Sequence, residues 1–383
     1  MVKMTNHTAW LSSAAFVVGV CSANIAAADV DISLFDAAEM LKTPEIVSCT
    51  LENGEDAQCV QLVVPYKPTS LDIGPFCPTS LRDEGGIWDW DGENAGLYRL
   101  NAAFFYMLEG LGYEFTDADG TMHISDPGAG RPEQTNTCLE ASEDDSVVIT
   151  ALIPLSPQMA DQVTDLGTVA KVGMGLDGVP IFADAPSVLQ TGHLPALDTC
   201  GGHIDPGGWY HWHATATDIG SAYDEAGVDA SCANVTQDVT AQFGYAFDGY
   251  AMYGTHDPDG SIPTDLDACN GHFSEGIGYH YNATADFPNL PPCLTGVMAE
   301  QNFSTTAKGG VGAAGGPDGG PAGGGHGLPA GFEAAAETLG VSATDLLMAL
   351  QAAGAPQNLD AAKAADSLGV TVEALTAALP QRP

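Results

Sequence analysis

Basic side chains are the scarcest class in this chain. Ten Lys and Arg stand against fifty Asp and Glu among 383 residues, a net charge of −40. A surface of that sign repels nucleic-acid phosphates and anionic lipid, so neither is expected as a partner. It favours solubility and draws cations, and salt screens its self-repulsion. The acidic residues read as a solvated coat rather than a substrate groove. Long apolar runs are also missing: the longest early one, residues 9–20, is too short to span a bilayer. The chain has no Gly-x-Ser-x-Gly elbow, no phosphate-binding P-loop and no His-Glu-x-x-His pair. No catalytic class is therefore assigned, and a non-enzymatic role is the leaning expectation.

What is present at the start of the chain is an export signal. Lys3 supplies a positive charge, residues 9–20 an apolar stretch, and Ala26-Ala27-Ala28 a small-residue cleavage site before Asp29. Cleavage there makes residues 1–28 a signal peptide, removes Cys21 and leaves eight cysteines, an even number that suits disulfides in an oxidising compartment, secreted or periplasmic. The expected pairs are Cys49–Cys59, Cys77–Cys138, Cys200–Cys232 and Cys269–Cys293, one choice among 105 connectivities. The first would staple a hairpin whose turn is Asn53-Gly54. Paired cysteines leave no thiol nucleophile.

The middle of the chain is doubled. Residues 200–217, CGGHIDPGGWYHWHATAT, align without a gap with residues 269–286, CNGHFSEGIGYHYNATAD, and nine of the eighteen positions are identical. Upstream, GLDGVPIF (175–182) is echoed by AFDGYAMY (246–253), each an Asp-Gly turn entering an apolar strand. The two last disulfides follow from this repeat. The expected fold is mainly β with some α (α+β): a duplicated β-rich unit, residues 172–232 and 243–293, forming a sandwich-like or barrel-like core within residues 29–300. Before the repeat, a hairpin, a helix over RLNAAFFYMLEGLGY capped by Asn101 and ended by Gly112, and a buried strand over SVVITALIPL are expected.

The chemistry lies in the repeat. On a strand, alternate residues share a face, so His211 and His213 point the same way with α-carbons about 6.6–7 Å apart, while Tyr210 and Trp212 fill the core. His203, across the turn DPGG, is the expected third ligand. Imidazoles suit copper or zinc. The second copy keeps His272 and His280 but has Asn282 in place of His213. Two arrangements stay open: the first copy alone holds the metal, or His203, His211, His272 and His280 converge across a pseudo-twofold with His213 as a helper. The bland alternative is that the histidines satisfy buried carbonyls. Asp89, Asp91, Glu93 and Asn94 in DWDGEN form a possible calcium loop, against the plainer reading of an Asp-Gly turn. Two more Asp-x-Asp-Gly stretches, 117–120 and 257–260, read as turns. Asp177 and Asp248, at equivalent positions, are a candidate acid–base pair.

Residues 301–331 read as a Gly/Ala/Pro linker. LGVSATDLLMAL (339–350) recurs as LGVTVEALTAAL (368–379), each with a capping Ser or Thr, so residues 332–383 read as a two-repeat helical module suited to self-association or a protein partner. Ser342 with Asp345 makes a capping box there.

The motif Tyr210-His211-Trp212-His213, its echo Tyr279-His280-Tyr281-Asn282, the pair LDTCGGH and LDACNGH, and the closing ADFPNLPPC resemble the YHYH family of exported bacterial proteins. The resemblance covers at least residues 170–295, and IGPFCP with WDWDGEN extends it toward residue 45. It implies an exported β-rich domain and names no activity. Three functions follow from the residues: a metal-binding protein, a surface or interaction module with structural histidines, or a metallo-oxidoreductase using Tyr210, Trp212 and Tyr279.

Overall fold

The computed structural model describes residues 29–130, 132–166, 170–183, 185–214, 238–284, 289–313, 332–339 and 361–379, together with Val341, Leu346 and Leu350. The signal segment with Cys21, Cys232, most of the Gly-rich stretch and the Ser342–Asp345 capping box lie outside the described residues.

Local signals build the first part. β1 (Lys42–Thr50) and β2 (Asp56–Pro65) form the expected hairpin. Its turn is held by Asn53, whose Oδ1 accepts from the Glu55 amide at 3.0 Å, and the Cys49–Cys59 disulfide staples it. A second hairpin, β3 (Ile87–Trp90) and β4 (Gly96–Arg99), leads into α1 (Ala102–Gly110). Asn101 caps α1 by accepting from the Ala103 and Phe104 amides at 3.0 and 3.2 Å. The chain leaves α1 through Gly112 at φ +96°, a conformation glycine adopts without a Cβ clash. Short β5 (Ile124–Ser125) and β6 (Thr137–Leu139) follow, and Cys77–Cys138 ties β6 to the loop before β3. These elements enclose a cluster around Trp88, Trp90, Phe104 and Phe105. β7 (Val148–Pro154) is the buried strand read from SVVITALIPL, and β8 (Met159–Asp165) comes next.

The first copy of the repeat supplies β9 (Lys171–Gly175), β10 (Pro180–Phe182), α2 (Val188–Thr191), β11 (His193–Pro195), β12 (Gly202–Ile204) and β13 (Tyr210–Trp212). The second supplies β14 (Gln242–Ala246), β15 (Ala251–Tyr253), β16 (Gly271–Ser274) and β17 (Gly278–Asn282). Eight of these strands make one sheet in the order β12-β13-β10-β9-β14-β15-β17-β16. Read inward from either edge, the pairings are antiparallel, parallel, antiparallel, and the seam between β9 and β14 is antiparallel. At that seam Met174 faces Tyr245. With the copies offset by 71 residues here, these two are the same position in each copy. The sheet therefore has a pseudo-dyad between Met174 and Tyr245.

β18 (Cys293–Gly296) pairs with β8, and β19 (Phe303–Thr305) joins β1, β2 and β7 in a four-stranded sheet. One hydrophobic core joins the two large sheets: Val60, Leu62, Ile149, Ala151 and Phe303 on one side, Val172, Met174, Ile181, Trp212 and Tyr281 on the other. The two sheets share this core, and the eight-stranded sheet stays open, with β12 and β16 as its edges. The segment before the repeat thus adds its own layer rather than completing the repeat's sheet.

The start of the Gly-rich stretch is folded, contrary to the flexible linker expected from its composition. Ala307 and Ala313 are buried, and the Thr305 amide donates to the Gly312 carbonyl at 2.8 Å. Small residues allow this backbone to lie close against the sheet. Beyond it, helices Phe332–Leu339, Ala361–Leu368 and Val372–Ala378 bury Ala335, Ala336, Leu346, Leu350, Ala364, Ala365 and Leu375 against one another. Thr371 caps the last of them, accepting from the Ala374 amide at 3.1 Å.

Among the described residues three of the four expected disulfides are present, the third being Cys269–Cys293. Cys200 is also disulfide-bonded; its expected partner, Cys232, lies outside the described residues. No helix among the described residues is long and apolar enough to cross a membrane.

Candidate metal centre

The hairpin geometry of each copy sets its histidines face to face. β12 and β13 run antiparallel with His203 directly opposite His211, and β16 and β17 repeat this with His272 opposite His280. A tyrosine fixes each hairpin from the other face. Tyr210 donates to buried Asp198 at 3.0 Å and Tyr279 to Asp267 at 2.8 Å, and each carboxylate also accepts from backbone amides of its own Cys-x-Gly turn. Gly202 and Gly271 are obligatory here, because a Cβ at either would strike the tyrosine hydroxyl.

In the first copy, three imidazoles meet. His213 Nε2 lies 3.0 Å from His211 Nε2 and 3.1 Å from His203 Nε2. His211 and His213 are fully buried; His203, on the edge strand, is partly exposed. The rings of Phe182 and Trp209 wall His211 at 4.8 and 5.0 Å. A backbone carbonyl sets one tautomer. His213 Nδ1 donates to Ala183 O, and the carbonyls of Pro195 and Ala196 lie beside His203. The His213 Nε2 atom is therefore a bare lone pair aimed at the other two rings.

Electrostatics keep the cluster neutral. Burial drives the His213 imidazole down to about 4, against the pull of its bond to Ala183. Burial, then the neighbouring imidazoles, drives His203 and His211 well below their ordinary value. Three neutral rings contain at most two Nε2 protons for three converging nitrogens. A cation at the meeting point would be shared by all three. A tetrahedral ion about 2.0–2.1 Å from each nitrogen needs N···N separations of about 3.3–3.4 Å, within a few tenths of the two that His213 makes. The Ala183 carbonyl behind His213 is the kind of outer partner that metal-ligating imidazoles ordinarily have.

The second copy gathers a different set. His272 and His280 approach to 3.1 Å between Nε2 atoms, and Asp257 Oδ1 lies 3.2 and 3.0 Å from them. Asn282 occupies the place of His213: it donates to Gly254 O at 3.2 Å, where His213 donates to the equivalent carbonyl of Ala183. The third donor is supplied instead by Asp257. Burial opposes ionisation of Asp257, but the adjoining His280 and His272 imidazoles outweigh it and hold the carboxyl below its usual range.

The five histidines expected as ligands are thus all in clusters, but in two clusters rather than one. Convergence of His203, His211, His272 and His280 is overturned by the strand order. Five inter-strand steps separate β13 from β17, roughly 24 Å at about 4.8 Å per step, because the pseudo-dyad passes through the sheet centre and the histidines sit near its edges. Asp257 was legible only as a turn residue; its one sequence signal was an acid available where the second copy had lost a histidine. Asp265, whose Oδ1 accepts from His272 Nδ1 at 2.9 Å, was not foreseen.

These two are the groups of three or more ligand atoms found among the described residues. Asp89, Asp91 and Glu93 do not form one. Asp91 Oδ1 accepts from Ser187 at 2.8 Å, the Glu93 carbonyl accepts from Trp90 Nε1 at 2.8 Å, and Asn94 sits at φ +62° in the turn between β3 and β4. Asp177 and Asp248 occupy hairpin turns at opposite ends of the β9–β14 seam, so they do not act as a pair. Asp248 is buried and accepts from Tyr281 Oη at 2.6 Å and Gly296 N at 2.8 Å, a structural role.

A family model described as YHYH protein matches residues 150–263. The resemblance read from the Tyr-His-Trp-His strand is borne out over that span, which holds the first cluster and Asp257 and ends before His272. Comparison with curated proteins and with solved structures finds no match.

Proposed function

From a YHYH-type domain whose signature strand carries two of three converging imidazoles, we propose that this chain is an exported metal-binding protein that holds one copper or zinc ion on His203, His211 and His213. The observation that carries it is the meeting of three imidazoles, with His213 Nε2 at 3.0 and 3.1 Å from the Nε2 atoms of His211 and His203, while the Ala183 carbonyl occupies the opposite nitrogen of His213. A histidine that merely satisfies a buried carbonyl needs no second histidine facing its lone pair. Borderline divalent copper and zinc suit an all-imidazole set. Export is supported by the signal-like residues 1–28 and by disulfides, which persist in oxidising compartments.

The test is metal retention by untagged mature protein. After loading with zinc or copper(II) and exhaustive dialysis, the first-copy site retains one equivalent. His211→Ala and His213→Ala each release that equivalent, while circular dichroism verifies that the fold persists. Unchanged retention in both variants refutes the assignment.

A further inference from the structure

We infer that the second copy is a separate metal site of a different kind, with Asp257, His272 and His280 as ligands and Asp265 as the outer partner that orients His272. It stands on other residues than the three-imidazole centre, so either can fail alone.

The geometry mirrors the first site but changes its donors. His280 Nδ1 donates to the Gly278 carbonyl at 3.0 Å and His272 Nδ1 to the Asp265 carboxylate at 2.9 Å. With both Nδ1 protons so engaged, two Nε2 lone pairs and a carboxylate oxygen converge within 3.2 Å. A cation between these three atoms would satisfy all of them at once. Asp257, His272 and His280 are all buried, which raises the cost of leaving that charge and those lone pairs uncompensated. Asn282 donates to Asp257 Oδ1 at 3.3 Å, holding the ligand oxygen in place. Its own Oδ1 is buried with no hydrogen-bond partner among the described residues, and a water carried by the ion would supply one. Asp265, exposed on its outer side, completes the carboxylate–histidine–metal arrangement.

Replacing one imidazole with a carboxylate changes the guest. Two imidazoles and one carboxylate form the donor set of mononuclear iron(II), manganese and zinc sites, and carboxylate oxygen suits harder ions than an all-imidazole set does. The net charge of the ion together with its ligands is also lower by one. The duplicated unit has thus diverged into two centres with distinct metal preferences, one at each edge of the sheet.

The experiment uses the full mature chain stripped of metal and titrated separately with zinc and with manganese(II), the latter followed by electron paramagnetic resonance. Wild type should bind two zinc ions, and one manganese ion at the second site. His211→Ala should keep one zinc and the manganese. Asp257→Asn, nearly isosteric, should keep one zinc and lose manganese binding by tenfold or more. Asp265→Asn, at an exposed position that does not threaten folding, should weaken zinc at the second site by roughly 10–100-fold. Manganese binding unaltered in both aspartate variants, or zinc stoichiometry unaltered in Asp257→Asn, overturns the inference. One zinc in wild type and none in His211→Ala would also overturn it while leaving the three-imidazole centre intact.

Discussion

The duplication contains its own control, because the second copy already shows what the first would be with an asparagine for its third histidine. His213→Asn should therefore fold. Asn282 donates to Gly254 O at 3.2 Å where His213 donates to Ala183 O, so the backbone anchor survives. The loss in the metal-free protein is a small buried void, worth about 1 kcal/mol at roughly 24 cal/mol per Å³. The loss to the metal is larger. Removing an outer partner weakens a site by roughly 10–100-fold, and removing one of three direct nitrogens reaches at least the top of that range, about 2.8 kcal/mol. The assay is zinc competition against a chromophoric chelator, paired with unfolding with and without zinc, in an Asp257→Asn background that silences the other cluster. At free zinc of about 100 times the parent dissociation constant, the parent gains about 2.7 kcal/mol; the variant, weakened 100-fold, gains about 0.4 kcal/mol. An equal gain in both proteins would show that His213 ligates nothing and that the convergence of the Nε2 atoms is packing alone.

Three further outcomes are expected. Gly202→Ala places a methyl group against Tyr210 Oη and the His211 carbonyl; it should cost about 2 kcal/mol or more in urea unfolding and abolish zinc binding at the first site, and a neutral effect would show that the hairpin tolerates separation. Burial pushes the Asp198 carboxyl up to about 6 from 3.8, against hydrogen bonds from Gly202, Gly74, Tyr210 and Cys200. Its folded state holds the proton more tightly than the unfolded chain, so its stabilisation is present below about pH 4 and lost as pH rises through about 6, by up to about 3 kcal/mol. The wild-type minus Asp198→Asn difference in unfolding free energy should fall across that window, and a flat difference would refute the shift. Asn101→Ala removes the cap of α1 and should cost about 1 kcal/mol in a denaturant melt while leaving metal stoichiometry unchanged.

What could be read from the chain was what the chain encodes nearby. The Asn53-Gly54 hairpin, the Asn101 cap and the His203–His211 opposition depend on turns of a few residues, and the repeat announced itself by identity. The doubled unit also pointed to the Cys269–Cys293 pair, because it sets Cys269 at the place of Cys200. Strand order was not legible. β10 sits beside β13 in parallel, thirty residues apart, and nothing in a one-dimensional pattern says that the copies meet through β9 and β14. That seam decided whether the histidines formed one site or two. Asp257 was hidden for a related reason: its sequence neighbours make a turn, and only the fold carries that turn over His272 and His280. The Gly-rich stretch misled in the opposite direction, since small residues signal freedom in a linker and close approach on a sheet with equal force.

The seam at Met174 and Tyr245 has a consequence for ancestry and for engineering. Its hydrogen bonds join two like strands about a twofold, as the contact between identical subunits does. A lone half-protein would present β9 as a bare rim, ready to zip onto another of its kind. Fusing two such halves into one polypeptide frees each from the obligation to match the other, and the unequal donor sets at the two ends of the sheet are what that freedom permits.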